Sequence, residues 1–386
     1  MSEFAIPQSE FEARLAATRE AMAAQGLDLL LAFSTESEPA HVRYYADYWP
    51  SFETAAVLIS VDGPAALLIG PESRTYATAR TRIGRVIQLM DFRESSQPDY
   101  PGSRLPTWRD IAAEFRPRRV GIAGWHMFPH TILTALREAV GAAVSVVPAD
   151  AVVRAVSMRK SANELRCLRE AARLSEIGFR AVLEGIRPGL TECQLVGLAT
   201  GAMLAAGAEA TGYPIWCCSG PNSAQAISRP SLRPVQTGEV IHFSIGAKVA
   251  GYSASIGRPV VLGHCPDELR RFLQVGLDAE TMTIDLMRAG TPAASVAQRV
   301  HDVIRSKGYG DAILYGPAHG CGQMECEYPF LETSSTYTLE EAMAFMVDIF
   351  LSRAGQGFRW EDGIVVRNGP AEELSSFGRR LNILEV

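Results

Sequence analysis

The chain has 386 residues, more than one hydrophobic core usually supports, so two domains are expected. Hydrophobic residues make up 47% of the sequence and charged residues 21%, a composition typical of soluble globular proteins. The formal net charge of −6 argues against a basic surface that would bind nucleic acid or anionic lipid. We therefore expect a small-molecule partner, with no nucleic acid and no membrane.

Targeting and redox features predict a cytoplasmic protein. The opening MSEFAIPQSEFEARL contains acidic residues and no apolar run, unlike a signal or transit peptide. No stretch approaches the roughly 18 consecutive apolar residues of a membrane span. The seven cysteines are an odd number in a large chain without a secretory signal, and we expect them to be reduced thiols.

The first part of the chain alternates predicted strands and helices. Apolar periodicity predicts a helix over residues 10–25. Short apolar runs predict strands at residues 29–33, 55–60, 65–69, 86–90 and 119–122. The intervening segments predict helices at residues 73–81, 107–114 and 131–140. Such alternation is typical of an α/β domain.

A change of pattern over residues 150–161 marks the end of this domain. Residues 163–184 predict a long amphipathic helix, and Ser161 and Glu164 give it a capping-box start. We place the boundary near residue 155, so that the domains cover residues 1–155 and 156–386.

The second part contains an internal repeat with a spacing of 101 residues. The segment IRPGLT at residues 186–191 follows one predicted helix as MRAGTP at 287–292 follows another, and each helix pair precedes a β-rich stretch. Chance similarity of helical hairpins is the simpler explanation, but the register holds without a gap. Two helix pairs with two β units predict a pseudo-twofold domain with a site between its halves.

A series of short motifs crosses the second part. They are SGPN at residues 219–222, TGE at 237–239, SIGAKVAGYSASIGR at 244–258, AHGCG at 318–322, CE at 326–327, MAFMVDI at 343–349 and RWEDG at 359–363. In this order, and after the tyrosine-rich VRYYADY at 42–48, they resemble the creatinase/prolidase/aminopeptidase P family. The resemblance implies an α/β (α+β) fold, with a creatinase-like N-terminal α/β domain and a C-terminal pseudo-twofold pita-bread domain.

Two positions distinguish this chain from the metallopeptidase members that it resembles. The resemblance places metal-binding aspartates at Ser244 and Ser255, and the remaining ligands at His319, Asp348 and Glu361. A neutral hydroxyl is a poor substitute, because hard divalent cations are held largely by anionic oxygen. We expect no metal and no cofactor. The remaining three residues form either a proton-transfer cluster or a site for a single metal.

Creatinase, the metal-independent branch of the family, hydrolyses the amidino carbon–nitrogen bond of creatine by acid/base chemistry. The resemblance matches its site at His319 and Glu361. The positions of its base histidine and of a further glutamate are Ile227 and Gly257 here. Creatine is therefore not the expected substrate.

The predicted catalytic residues are grouped around one histidine. His319 lies in a glycine-rich segment where the backbone can approach a ligand closely, although a purely structural histidine is the alternative. Asp348 and Glu361 are expected to orient His319 or the attacking water. Glu327 is expected to assist. On a strand, Glu325 would share the face of Glu327, and that face is either the cleft or solvent.

Two arginines are candidates to bind a substrate carboxylate through paired hydrogen bonds. They are Arg258 and Arg359. The alternative for either arginine is an internal salt bridge with Asp348 or Glu361.

Further substrate contacts are expected from both domains. In the second domain they are Cys217, Asn222, Tyr252 and the hydroxyls of Ser244 and Ser255. A buried structural thiol is the alternative for Cys217. In the first domain, Trp49 and Phe52 are expected to cover the cleft of the neighbouring subunit in a homodimer. Surface aromatics at a dimer contact are the alternative.

These features together predict a cytoplasmic, homodimeric, metal-independent hydrolase. It would cleave a carbon–nitrogen bond of a small amide, amidine or cyclic amidine that carries a carboxylate. The alternatives are a mononuclear-metal Xaa-Pro-type aminopeptidase or dipeptidase, a lyase on the same fold, and a binding module without catalysis. A histone-chaperone-like binding module would normally carry acidic tails, which are absent here.

Overall fold

A computed structural model describes residues 4–384 of the chain. The chain divides into two compact units, Ala5–Ser157 and a second unit that begins at Met158. Within residues 4–384, no helix combines the length and the apolarity that crossing a membrane requires.

The first unit is a twisted sheet covered by short helices. Its helices are α1 (Gln8–Ala24), α2 (Ala40–Ala46), α3 (Arg74–Arg80), α4 (Trp108–Phe115), α5 (His130–Val140) and α6 (Asp150–Ser157). Its strands are β1 (Leu29–Ser34), β2 (Ala55–Ser60), β3 (Ala66–Ile69), β4 (Val86–Gln88), β5 (Arg119–Ala123) and β6 (Ser145–Pro148). The strand order is β4-β3-β2-β1-β5-β6. Apolar residues of β1 lie in clusters on both faces of the sheet, as expected for a central strand.

The five strands predicted for this unit are all present. Three elements were not predicted, each for a physical reason. Helix α2 has five buried residues among seven, so it lacks the polar face that reveals helical period. Strand β6 lies at the sheet edge, and none of its four residues is fully buried. Helix α6 spans only eight residues, at the segment taken as a boundary.

The second unit contains two helix pairs and a large sheet. The helices are α7 (Ala162–Gly185), α8 (Glu192–Ala205), α9 (Asp267–Leu286) and α10 (Ala293–Ser306). The strands are β7 (Ala210–Thr211), β8 (Trp216–Ser219), β9 (Val240–Val249), β10 (Tyr252–Leu262), β11 (Ala318–Gly320), β12 (Glu327–Leu331), β13 (Ala344–Arg353), β14 (Gln356–Val365), β15 (Glu372–Glu373) and β16 (Asn382–Leu384). The predicted capping box of Ser161 and Glu164 is confirmed at the start of α7.

The two halves of this unit join at the centre of the sheet. Each half contributes a long antiparallel hairpin, β9–β10 or β13–β14, and β10 pairs with β14 to close the sequence β12-β11-β13-β14-β10-β9-β7. Helix α7 packs against β9 and β10 as α9 packs against β13 and β14. The predicted pita-bread architecture is therefore confirmed.

The helix layer buries large apolar side chains against the sheet. Trp360 is fully buried beneath α9, and its Nε1 donates a hydrogen bond to the carbonyl of Leu273 across 3.1 Å. Gly276 on α9 permits this close packing, because a Cβ there would lie 2.3 Å from a ring carbon of Phe358. Truncating Trp360 to alanine would cost about 3–5 kcal/mol. This packing holds β14 in place and so positions the polar residues on its opposite face.

Candidate functional site

A row of residues crosses four adjacent strands of the second unit. Ser244 on β9 pairs with Gly257 on β10, Gly257 pairs with Glu361 on β14, and Glu361 pairs with Asp348 on β13. A Cβ at Gly257 would lie 2.5 Å from the Cβ of Glu361. The absence of that side chain leaves space for the hydroxyl of Ser244 to reach the carboxyl group of Glu361.

Both carboxyl oxygens of Glu361 are hydrogen-bonded to serine hydroxyls. Ser244 donates to Oε2, and Ser255 Oγ lies 2.9 Å from Oε1. The same Ser255 oxygen lies 2.9 Å from Oε1 of Glu325. A hydroxyl has one proton, so a full hydrogen bond to each carboxyl group requires one of the two to be protonated and to donate to Ser255. The two serines and two glutamates therefore share protons in one network.

The surroundings of the two glutamates favour this protonation. Burial and the charge of Glu325 together raise the pKa of Glu361 to about 7, although the charge of Arg359 opposes the shift. Burial also raises the pKa of Glu325. Since neighbouring carboxylates resist simultaneous ionisation, the pair holds about one proton near neutral pH.

Asp348 is held by a cation and a phenol. Its Oδ2 accepts hydrogen bonds from Nη1 of Arg359 and from the hydroxyl of Tyr315, the latter across 2.8 Å. Nη2 of Arg359 donates to the carbonyl of Ala226, and the guanidinium carbon lies 4.6 Å from the ring centre of Trp216. Oδ1 of Asp348 is buried and has no hydrogen-bond partner within residues 4–384. One acceptor of the site is thus left open.

The imidazole of His319, on β11, carries a proton on Nδ1, whether the ring is neutral or doubly protonated. Its Nδ1 lies 3.1 Å from the carbonyl oxygen of Gly320, and because a carbonyl only accepts, Nδ1 carries a proton. Nε2 lies 4.0 Å from Oε1 of Glu325. Burial alone would lower the pKa of His319, but the contact with Cys326 and the negative charge of Asp348 raise it to about 9.

These groups border a cavity of about 260 Å³ in the second unit. Its polar wall includes His319, Glu325, Asp348 and Arg359. Its apolar wall includes Trp216, Ile227, Tyr315 and Phe330. Glu361 and the two serines lie behind the polar wall. The structure therefore brings three predicted residues, His319, Asp348 and Arg359, to one small cavity.

The donor set does not suit a dinuclear metal centre. At two of the expected ligand positions it offers neutral hydroxyls, and the hydroxyl of Ser244 donates a hydrogen bond to an oxygen of Glu361 that a metal would need. His319, Asp348 and Glu361 do offer ligand atoms that all lie within 4.8 Å of one another, a spacing compatible with a single ion. Glu361 would have to give up hydrogen bonds to bind it.

The structure corrects the prediction for Arg258. Its side chain has 0% exposure, and Nη2 donates to both carboxylate oxygens of Asp362 at 2.8 Å. Nη1 donates to the backbone carbonyl of Glu361 at 2.9 Å. Arg258 is therefore part of the buried interior and does not reach the cavity. Its salt-bridge partners are Asp362 and, at 3.9 Å, Glu280, not the predicted Asp348 or Glu361.

Three other residues predicted to contact the substrate are engaged within the protein. Cys217 is buried on β8, and burial raises the pKa of its thiol well above the usual range. The amide of Asn222 donates to Glu192 across 3.1 Å. The hydroxyl of Tyr252 donates to Glu164 across 2.9 Å. None of the three residues borders the cavity.

Of the two glutamates considered in the sequence, Glu325 and not Glu327 borders the cavity. Glu327 forms a salt bridge of 2.6 Å with the buried ammonium group of Lys160 and does not border the cavity. Glu325 borders the cavity and joins the network of Ser255 and Glu361. The register of β11 against β12 shifts between His319 and Gly320, and β12 begins only at Glu327, so strict alternation does not apply at Glu325.

Trp49 and Phe52 lie in the first unit near Glu36. Trp49 Nε1 donates to the carbonyl of Glu36 across 2.8 Å. The side chain of Phe52 is 80% exposed, and its backbone amide donates to the carboxylate of Glu36. Their predicted position over the cleft of a partner subunit stays a prediction.

Two tyrosines at equivalent positions were missed by sequence reasoning. Tyr213 hydrogen-bonds to Ser244, the fifth residue of β9, and Tyr315 donates to Asp348, the fifth residue of β13. Each tyrosine opens the β-rich stretch of its half. The internal repeat was the signal that could have identified them, since it places both before a site strand.

Comparisons with known proteins agree with this architecture. The sequence matches Metallopeptidase family M24 over residues 166–368 and the Creatinase/Prolidase N-terminal domain over residues 14–158. It is 28% identical over 308 residues to the uncharacterized peptidase YqhT of Bacillus subtilis (strain 168), covering 77% of this chain and 86% of that protein. It is 26% identical to the Xaa-Pro dipeptidase of Lactobacillus delbrueckii subsp. lactis, covering 72% of this chain and 77% of that protein.

Solved structures show the same fold. The X-Pro aminopeptidase from Thermotoga maritima MSB8 superposes with a TM-score of 0.83 at 22% identity, covering 96% of this chain and 99% of that chain. The Xaa-Pro dipeptidase from Bacillus anthracis also gives a TM-score of 0.83, at 24% identity, with coverage of 97% and 100%. The predicted family is thus confirmed. The chain belongs to Metallopeptidase family M24, a family of hydrolases that act on carbon–nitrogen bonds.

Proposed function

We propose that the protein is a metal-independent hydrolase that cleaves a carbon–nitrogen bond of a small amide, amidine or cyclic amidine. The observation that supports this most strongly is the state of Glu361. Its two carboxyl oxygens are engaged by the hydroxyls of Ser244 and Ser255. A buried carboxyl group satisfied by hydroxyls is suited to store a proton, whereas a metal ligand needs free anionic lone pairs.

His319 supplies the general acid in this mechanism. Its Nδ1–H is engaged with the carbonyl of Gly320, which directs the transferable proton to Nε2. With a pKa of about 9, the ring is an imidazolium at neutral pH. It can therefore protonate the departing nitrogen, the atom that otherwise leaves as an unstable anion.

Glu325 supplies the general base. Glu361, with a pKa of about 7, retains the shared proton of the pair, and Glu325 remains a carboxylate that faces the cavity. Water gives a proton to Glu325 as its oxygen bonds to the substrate carbon. The carbon–nitrogen bond then breaks as the nitrogen takes the proton of His319. The acid and base are thus two neighbouring groups whose surroundings set opposite protonation states.

Asp348 and Arg359 position the reacting groups. Asp348 lies near His319 and stabilises its positive charge, while Arg359 and Tyr315 hold the carboxylate in one orientation. The open Oδ1 of Asp348 can accept a hydrogen bond from the attacking water or from a substrate N–H. Arg258 is buried elsewhere and Arg359 is already paired with Asp348, so neither arginine is free to bind the carboxylate predicted on the substrate.

A second candidate is a peptidase with a single metal ion. The observation in its favour is the spacing of His319, Asp348 and Glu361, whose ligand atoms lie within 4.8 Å of one another. Under this alternative the three side chains would hold the ion, and the ion would activate water. The lyase alternative, the homodimer and the cytoplasmic location remain predictions.

Metal content distinguishes the two candidates. Elemental analysis of protein purified without added metal, with calorimetric titration of Mn²⁺, Co²⁺ and Zn²⁺, is expected to find less than one ion per chain. Small amides and amidines should then be hydrolysed equally with and without a chelator. His319→Gln should abolish turnover, while His264→Gln at an exposed position should not. One tightly bound ion per chain with chelator-sensitive turnover would overturn the metal-independent mechanism.

A further inference from the structure

The walls of the cavity combine aromatic rings with acidic groups. Trp216, Tyr315 and Phe330 contribute rings, and the ring centre of Phe330 lies 6.3 Å from that of His319. Such rings attract cations through the negative charge of their faces. Trp216 already does so within the protein, since it lies beside the guanidinium of Arg359.

Three acidic groups border this space, against two cations, Arg359 and the imidazolium of His319. Glu325, Asp348 and Glu332 border the cavity, and Glu332 is exposed at its mouth. Arg359 is the permanently charged basic residue of the described lining. Its charge is already compensated, because Nη1 donates to Asp348 and Nη2 to the carbonyl of Ala226. The cavity therefore offers little attraction to an anion.

An unpaired acceptor provides an independent sign of a ligand. Asp348 is 4% exposed and borders the cavity, yet its Oδ1 has no hydrogen-bond partner within residues 4–384. Leaving a buried carboxylate oxygen unpaired is costly, so such an oxygen is normally matched by a donor. A ligand with N–H groups would supply that donor.

We infer that the site recognises a planar, positively charged amidinium group that carries an apolar substituent. The N–H groups of the cation donate to Oδ1 of Asp348 and to Glu325, and the apolar part packs against Trp216 and Phe330. This inference rests on the proposed carbon–nitrogen hydrolysis and narrows its substrate class from amides and amidines to cationic amidines. The attacked carbon of an amidinium is already electron-poor, which suits a site that activates water by acid/base catalysis alone.

Three probes of nearly equal shape test the charge preference. Benzamidinium, benzamide and benzoate carry charges of about +1, 0 and −1 at pH 7, and each can be titrated into the wild-type protein by calorimetry. We expect benzamidinium to bind about tenfold more tightly than benzamide, and benzoate to bind more weakly than either. Benzoate binding as tightly as benzamidinium, or no binding by all three probes, would overturn the inference.

A variant at the mouth of the cavity tests whether the charge preference arises there. Glu332→Gln should weaken benzamidinium binding by about two- to fivefold and leave benzamide binding unchanged, because it removes an exposed charge without changing shape. Glu340→Gln, which alters an exposed glutamate paired with Arg159, is the matched control and should change neither. Equal weakening by both variants would contradict the assignment to this cavity. These titrations measure binding and not turnover. If the protein prefers benzamidinium but its turnover is sensitive to a chelator, this inference stands and the metal-independent mechanism is rejected.

Discussion

Replacing both site serines by aspartate should convert the protein into one whose stability depends on metal. In the double variant Ser244→Asp/Ser255→Asp, Glu361 loses two hydroxyl partners and Glu325 loses one. Each lost hydrogen bond to a charged group costs about 1–3 kcal/mol. Two carboxylates about 3 Å apart repel by roughly 5 kcal/mol at an effective dielectric constant of about 20, which proton uptake partly relieves.

These terms predict a large loss of stability without metal. The unfolding free energy of the double variant should fall by about 3–6 kcal/mol relative to the wild type. In a unit of this size each kcal/mol lowers Tm by about 2–4 °C, so Tm should fall by roughly 10 °C. Adding Mn²⁺ at about 100 times its Kd should restore about 2.7 kcal/mol.

Thermal melting with and without Mn²⁺, combined with calorimetric titration, measures both effects. The double variant Ser244→Asn/Ser255→Asn is the control, since asparagine matches aspartate in size and carries no charge. We expect Mn²⁺ to raise the Tm of the aspartate variant by about 5–10 °C, while the wild type and the asparagine variant change little. An equal response in the wild type would refute the reasoning, because the native donor set would then already hold the ion.

Three further outcomes are expected. Glu325→Gln should lower kcat by about 100-fold or more, since it removes the base. Glu327→Gln should act mainly on stability, because it removes a salt bridge. Steady-state kinetics and melting curves separate the two effects, and the reverse pattern would restore Glu327 as the catalytic group. Ser161→Ala should cost about 1 kcal/mol in urea unfolding by removing the cap of α7, and an unchanged midpoint would contradict this. Burial, aided by the charge of Arg359, lowers the pKa of His242 to about 3, so the folded state holds it neutral and loses stability as pH falls below about 6.5. His242→Leu should reduce the loss measured between about pH 6.5 and 5.5 by about 1 kcal/mol, and identical pH dependence in both proteins would be inconsistent with this.

The fold could be predicted because its signals are local and repeated. Apolar runs marked the first-unit strands, and the order of short motifs marked both halves of the second unit. Ser161 and Glu164 predicted the start of α7, because a capping box involves residues that are only three apart in the sequence. Signals of this kind depend on neighbours along the chain, and they survive without knowledge of tertiary contacts.

The site was harder to predict because it depends on which face each side chain occupies. Arg258 follows Gly257 and stands three residues after Ser255, so strand alternation places it on the opposite face from both. Its partner Asp362 likewise follows Glu361 on β14. The sequence therefore contained enough information to exclude Arg258 from the cavity.

Glu325 could not have been chosen over Glu327 by the same rule. Alternation applies only within a regular strand, and the register shift after His319 interrupts it. The pairing of Glu327 with Lys160 joins residues 167 positions apart, and nothing in the local sequence indicates such a contact. Irregular backbone between two strands is thus where reasoning from sequence periodicity fails.

Charge balance explains why both serines matter together. A five-ligand site with four carboxylates and a histidine is strongly negative unless cations occupy it, and uncompensated buried charge is costly. With serines at two positions, the remaining carboxyl groups of Asp348, Glu361 and Glu325 are offset by Arg359, by the imidazolium of His319 and by one shared proton. A single substitution to aspartate would leave this cluster with one unmatched negative charge and too few ligands for two ions. The two serines therefore act as a unit: together they permit a neutral, proton-sharing cluster on a backbone that otherwise suits a metal centre.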